Sequence, residues 1–427
     1  LNQGNGTATA TLTDGDVSTS GDTASGLRAG VRGTGSAAVV VNGGTVTTSG
    51  NLSYGVHTVG SNNNTIDIAA GAVIDASGSG IAIRDGDSGL DNNADGFLDA
   101  ADNVNGQLDA FVASFDADHD GFRDDDDDDN GFLDVDAGGD NATTALPALP
   151  GADGVDEVAS GFQLDANGDQ ILDGNGDPIP VSTGGSGNVT VTTAGTVTGD
   201  AILGLGDDTF NLVGGSYDGD IYGDDALASA NDGNDTFNWT GGTWNSSFYG
   251  QNGSDTATID TDAVAYDPNH HVLDGGDDAS SADGWVDTLN MLGATVDLNG
   301  ATTLNWEVIN FSDNATVSLT DVVGETVNVA AGGSTTITGA SEFVDVVGSA
   351  LDDTIAITGD ATITGDVTGG DGNDAITIDS TGGVGGDVLA GAGDDTVTLA
   401  DSSVGGNVDG GDGTDALTAD ASSIGGD

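Results

Sequence analysis

The stretch "GDVTGGDGNDAITIDSTGGVG", residues 365–385, is followed without a gap by "GDVLAGAGDDTVTLADSSVG", 386–405, and "GNVDGGDGTDALTADASSIG", 406–425. Asp374, Asp395 and Asp415 hold equivalent places in the three units, 21 and 20 residues apart. Each unit reads as short strands in which apolar and polar residues alternate, separated by Gly-rich corners. A unit of about 20 residues has too few apolar side chains to enclose a core, but stacked on its neighbours it buries a continuous one. The repeat therefore predicts an all-β fold, a parallel β-helix or β-solenoid of about 20 to 29 residues per turn.

The period extends upstream. The Asp signature returns at Asp208 (DDTF), Asp235 (NDTF), Asp255 (SDTA), Asp287 (VDTL) and Asp353 (DDTI), with 27 residues from Asp208 to Asp235 and 20 from there to Asp255. Residues 288–345 carry strand-like runs without it, read as turns with plain corners. Near the start, "STSGDTASGLRAGV", "TTSGNLSYGVHTV" and "DASGSGIAI" align on Gly21, Gly50 and Gly78, at spacings of 29 and 28. Three regions follow: β-helix turns over 1–84, an Asp-rich insert over 85–185 and a second solenoid stretch over 186–427. The last unit stops in mid-pattern at "SSIGGD". That predicts further chain beyond it, or a neighbouring molecule that caps the open end.

Composition narrows the chemistry. The 427 residues include 72 acids and 4 basic residues, for a net charge of −68. The basic residues are Arg28, Arg32, Arg84 and Arg123. Such a balance excludes ordinary nucleic-acid binding, which needs cations against phosphate, and argues against anionic lipid. A divalent cation is the natural partner. Acidic chains poor in aromatics are often disordered, but here 36% of residues are apolar, in alternating runs. There is no Cys, so neither disulfides nor thiolate metal sites contribute. No stretch approaches the roughly 18 apolar residues of a membrane span.

"GGDGNDAIT" (369–377) and "GGDGTDALT" (410–418) match G-G-x-G-x-D-x-U-x in full, and "AGAGDDTVT" (390–398) misses only the first Gly. Gly allows positive φ, which turns corner carbonyls toward a hard cation, while Asp supplies charge. Asp371, Asp374, Asp394, Asp395, Asp412 and Asp415 are the candidate Ca2+ ligands here. The motif resembles the nonapeptide of the RTX (repeats-in-toxin) family, which implies a secreted calcium-binding β-roll. That family places two nonapeptides in each turn and this chain one, so one mineralised edge and one bare edge are expected. The competing reading is an ordinary Gly-Asp corner with solvated carboxylates.

A second pattern lies in the insert. "FDADHDGFRDDDDDDNGFLDVD", 115–136, fits D-x-[DN]-x-[DN]-G-x-x-D twice, ten residues apart. Asp116, Asp118, Asp120, Asp124 and Asp127 form one loop, and Asp126, Asp128, Asn130 and Asp134 form the next. Asp91, Asn93, Asp95, Asp99 and Asp102 match earlier. Asp165, Asn167, Asp169 and Asp173 match later, with Gln170 where Gly is expected. Alternate acids converge on one ion, Gly makes the bend, and the apolar residue that follows turns inward. These loops resemble thrombospondin type 3 repeats, which implies several calcium ions sharing carboxylates. A disordered acidic insert is the competing reading.

Other features carry less. His270 and His271 in "YDPNHHVLDGG" could bind a transition metal but read better as an exposed insertion loop. The aromatic residues of "FNWTGGTWNSSFYG" could stack on sugars or form a local core. Rows of Thr could suit ice or glycans, yet Thr is simply a good strand residue. No nucleophile–base order has supporting context, and an enzyme is not expected. The N-terminal turns and "LNWEVINF" (304–311) resemble autotransporter passenger domains. Together these features predict a calcium-stabilised structural or adhesive protein of a bacterial surface, extracellular and self-associating. The alternative is a glycan-binding or glycan-cleaving β-helix with surface glycans as partners.

Overall fold

The computed structural model describes residues 6–21, 24–31, 35–50, 53–60, 63–78, 81–85, 188–204, 206–224, 233–276 and 280–426. The calcium-loop residues expected between Asp91 and Asp173 lie outside them. The described chain is a parallel β-solenoid: its strands pair with those a turn earlier and later, and every pairing is parallel. One turn runs through Thr354–Gly359, Thr362–Ile363 and Val367–Asp371, and the next through Ala375–Ser380, Gly383–Val384 and Val388–Ala392. Three rows of strands result. The first row begins with Ala8–Leu12, the second with Asp16–Thr19 and the third with Ser25–Gly30. Among the described residues, no helix is long and apolar enough to cross a membrane.

The strands before residue 86 pair directly with those after residue 187. Asn64–Ile68, Val73–Asp75 and Ile81–Asp85 are bonded to Val189–Thr193, Thr196–Thr198 and Asp200–Ile202 respectively. The turns before residue 86 and after residue 187 are therefore consecutive in the coil.

Alternation decides which side chains face inward. Ile376 and Ile378 are 1% and 0% exposed, while Thr377 between them is half-buried. Along the first row, Val39, Ile66, Val191, Phe210, Phe237, Leu289, Ile309 and Val327 stack at 0% exposure as one column of the core. β-Branched residues suit this pleated, stacked setting. Around residues 209–306 the coil widens to hold Phe210, Phe237, Trp239, Trp244, Phe248 and Trp306, each at most 3% exposed. The aromatic run is thus a local core, with no indole face open to a sugar. Trp244 Nε1 donates to Gly219 O at 3.1 Å and Trp306 Nε1 to Leu273 O at 3.0 Å.

His271 departs from the expected exposed loop. It is 3% exposed and sits among Trp239, Trp244 and Tyr266, with ring centroids 5.0, 5.6 and 5.7 Å away. Its Nε2 lies 2.9 Å from Trp244 O and its Nδ1 accepts Asp267 N–H at 2.9 Å. The ring fastens the 261–271 insertion onto the core, and of the two His only His270 stays exposed.

Candidate metal centre

The recurrent Asp is buried in every turn but the last, where Asp415 is exposed. Asp374 is 2% exposed, and its Oδ1 accepts the backbone N–H of Asp353, one turn earlier, at 2.8 Å. Asp374 N–H goes on to Asp395 Oδ1 at 2.7 Å, and Asp395 N–H to Asp415 Oδ1 at 3.1 Å. Upstream the same device repeats. Asp208, Asp235 and Asp255 donate their N–H to the carboxylates of Asp235, Asp255 and Asp287 at 2.8, 2.7 and 2.7 Å. Asp287 N–H then reaches Glu307 Oε2 at 2.5 Å, so the Glu of "NWEVIN" joins a column that the Asp signature alone did not mark. A hydrogen bond to a charged acceptor contributes about 1.5–3 kcal/mol. Each rung therefore ties one turn to the next.

One signature serves two corners. Asp208, Asp235, Asp255 and Asp287 precede first-row strands, whereas Asp353, Asp374, Asp395 and Asp415 precede second-row strands. Sequence cannot separate them, because the local pattern is the same.

Each carboxylate uses one oxygen in its rung. The other oxygen of Asp208, Asp374 and Asp395 is buried and has no hydrogen-bond partner. It lies against a bare backbone: a Cβ on Gly369 would sit 2.6 Å from Asp374 Oδ2, and one on Gly410 2.6 Å from Asp415 Oδ2. Burial, with Asp353, Asp395 and Asp352 close by, pushes the Asp374 carboxyl up to about 6, against the pull of the Asp353 N–H. Burial, followed by Asp235, raises Asp208 as well. A stack of like charges with unsatisfied oxygens calls for either a proton or a cation.

The corner glycines let the backbone turn tightly beside this column. Gly370, Gly391 and Gly411 have φ of 114°, 115° and 84°, and Gly372, Gly393 and Gly413 of 121°, 147° and 143°. Each column is packed so that a Cβ on Gly391 would fall 1.8 Å from Gly370 O, and one on Gly393 1.6 Å from Gly372 O. The donor set is oxygen only, which suits a hard cation such as Ca2+. Among the described residues, no group of three or more His, Asp or Glu side chains could hold a metal alone. A cation here would rest on one or two carboxylates and take its other ligands from corner carbonyls.

The other expected ligands stand apart from this column. Asp394 belongs to an outer ladder: its N–H binds Asn373 Oδ1 at 2.9 Å and its Oδ1 accepts Thr414 N–H at 2.9 Å. Asp371 and Asp412 are exposed and separated by Ala392, so they do not meet. The edge expected to be bare also carries acids. Asp366 N–H binds Asp345 Oδ1 and Asp387 N–H binds Asp366 Oδ1, both at 2.7 Å. The "GD" that opens the units at 365 and 386, continued by "GN" at 406, is the signal for that ladder.

Arg84 lies in a third-row strand at 0% exposure, in register with His57 and Arg28. Asp85 beside it accepts from Thr58 Oγ1, and from Asn64 Nδ2 at 3.1 Å to each oxygen.

No protein-family model, curated protein or solved structure matches this chain. The fold and the corner chemistry therefore carry the functional reading by themselves: the chain is a parallel β-solenoid with carboxylate ladders at its corners.

Proposed function

We propose that this protein is a calcium-stiffened structural or adhesive rod of a bacterial surface, extracellular and self-associating. The observation that carries the reading is the inward carboxylate column, with buried unpartnered oxygens at Asp208, Asp374 and Asp395 in a chain of net charge −68. Asp374, Asp395 and Asp415 would hold Ca2+ at the second-row corner, together with backbone carbonyls. The ion supplies positive charge where successive turns bring carboxylates together. The chain's own residues do the rest. Glycine columns let successive corners approach, inward aliphatic side chains exclude water, and the Asp–amide rungs set the register. Binding that favours the folded coil couples calcium to stacking. Where calcium is scarce, as inside a cell, self-repulsion favours an extended, exportable chain. The resemblance to RTX and autotransporter passenger proteins supports the extracellular placement.

The test is thermal melting by circular dichroism in calcium and in excess chelator, with bound metal counted by elemental analysis. Calcium should raise the melting temperature, and metal should copurify at more than one ion per chain. Equal stability with and without calcium would remove the proposal.

A further inference from the structure

Successive first-row strands from Val189–Thr193 to Val323–Asn328 present two outward columns. From Thr190 to Asn328 the outward pairs come from the triplets TVT, TFN, TFN, TAT, TLN, VIN and TVN. The register aligns them: Thr190, Thr209, Thr236, Thr256, Thr288, Val308 and Thr326 are consecutive partners, as are the residues two positions on. All are at least partly exposed, and none is charged. In a chain of net charge −68 that neutrality stands out. It also ends abruptly, because the next partner of Thr326 is Asp345, followed by Asp366 and Asp387 in the same ladder.

The flanks of this face are mixed, with exposed apolar residues among them. Val213, Val286 and Leu292 are 48%, 40% and 38% exposed, each two positions along its strand from a Thr or Asn of the columns. Asp207 and Asp260 hold equivalent flank positions, Asp260 as the register partner of Leu292, so charge returns at the two sides. The amides are held in place: Asn238 Nδ2 donates to Asn211 Oδ1 at 2.9 Å, Asn310 to Asn290 at 2.9 Å and Asn328 to Asn310 at 2.6 Å. Thr adds stiff β-branched side chains. The surface is thus neutral and pre-organised, so little side-chain entropy is lost on contact.

We infer that this face is where two copies of the chain associate side by side, face to face. Two molecules this acidic repel through most of their surfaces. They can approach closely only where the charge is absent. Seven strands about 4.8 Å apart span about 34 Å; four outward positions, about 20 Å, cross the first five, while Trp306 and Gly324 are buried beside the columns on the last two. That is on the order of 600 Å2 per copy and about 1,200 Å2 for the pair, at the lower bound of stable specific interfaces. A two-fold pairing of one patch with itself needs no second complementary surface. The inference deepens the self-association in the function proposed above. Its test is separable, because every arm stays calcium-loaded.

Sedimentation velocity of the 427-residue chain in calcium and high salt, over a range of concentrations, provides the measurement. The wild type should dimerise. The pair Asn238→Glu and Thr256→Glu puts charge into the centre of the face and should raise the dissociation constant about tenfold or more. The neutral pair Asn238→Gln and Thr256→Gln should keep the dimer. So should Ser318→Glu with Thr336→Glu, adjacent outward positions of the second row that carry the same added charge. A wild type that is monomeric at every concentration would overturn the inference, as would equal weakening by both Glu pairs. A monomer that is retained on ice or on microcrystalline cellulose in a face-dependent way would also overturn it, and would assign the face to a foreign lattice of hydroxyl groups.

Discussion

Replacing Asp374 with Asn should move stability in opposite directions with and without calcium. The side chain keeps its shape, and its remaining carbonyl oxygen can still accept the Asp353 N–H now bound at 2.8 Å. What disappears is one charge in a column whose neighbours, Asp353 and Asp395, sit one strand spacing away, about 4.8 Å. At an effective dielectric of about 20, each fully ionised neighbour costs about 3 kcal/mol. The native protein relieves part of this by holding a proton, which is why the Asp374 carboxyl titrates at about 6. At pH 8 that proton is gone. Replacing a charged acceptor by an amide weakens the rung by about 1 kcal/mol. With both neighbours ionised, metal-free Asp374→Asn should therefore be more stable than wild type by about 5 kcal/mol at pH 8, and the gap should close toward pH 5. In saturating calcium the same variant loses a ligand and should fall below wild type by about 2–3 kcal/mol. Thermal melts of both proteins at pH 8 and pH 5, with calcium or chelator, give the four comparisons. A variant destabilised equally in chelator and in calcium would refute the reasoning, because the carboxylate would then be a simple structural acceptor.

Other expectations follow from the same geometry. In chelator, acidification from pH 8 to pH 5 should raise the wild-type melting temperature. Asp374 binds its proton more tightly folded than unfolded, so this contribution is present at low pH and lost as pH rises through about 6; calorimetry across pH would show the slope, and saturating calcium should reverse it. Gly393→Ala, at φ 147° with its Cβ 1.6 Å from Gly372 O, should cost about 3 kcal/mol or more in urea unfolding. Gly71→Ala, at φ 87° with nothing within 4 Å, should cost only about 1–2 kcal/mol. Trp306→Ala empties a fully buried site and should cost about 3–5 kcal/mol by the same measurement.

The coil itself was legible because its cause is local. Alternation within "AITID" and the spacing of Asp374, Asp395 and Asp415 already state strand, corner and period. Partners a full turn away follow once the period is known. What sequence could not supply was position around the coil. Asp235 and Asp374 share a tetrapeptide-scale signature yet stand at different corners, because loop lengths between strands, not the signature, decide which row comes next. Glu307 was hidden because one extra methylene lets Glu reach the same amide from a different motif. The aromatic run around Trp239 was ambiguous for a related reason: alternation gives the side of the sheet, but not whether the coil widens to enclose the ring. An insertion such as the one carrying His271 reads as a surface loop, whereas here it folds back onto the aromatic core. The neutral columns were visible as Thr rows, but only register places seven of them side by side.

Rungs that join one turn only to the next also decide how the molecule bears load. Pull its two ends apart along the coil axis and the hydrogen bonds between turns are strained one row at a time, never all together. The chain should come off turn by turn. With 20 to 21 residues in each regular unit near the C-terminal end, every released turn yields about 70 Å of extended chain. A cation gripping two corners would raise the force of its own step and leave the next unchanged. Such a rod gives way in small, evenly spaced increments under tension, and the height of each increment would report whether its corner is loaded.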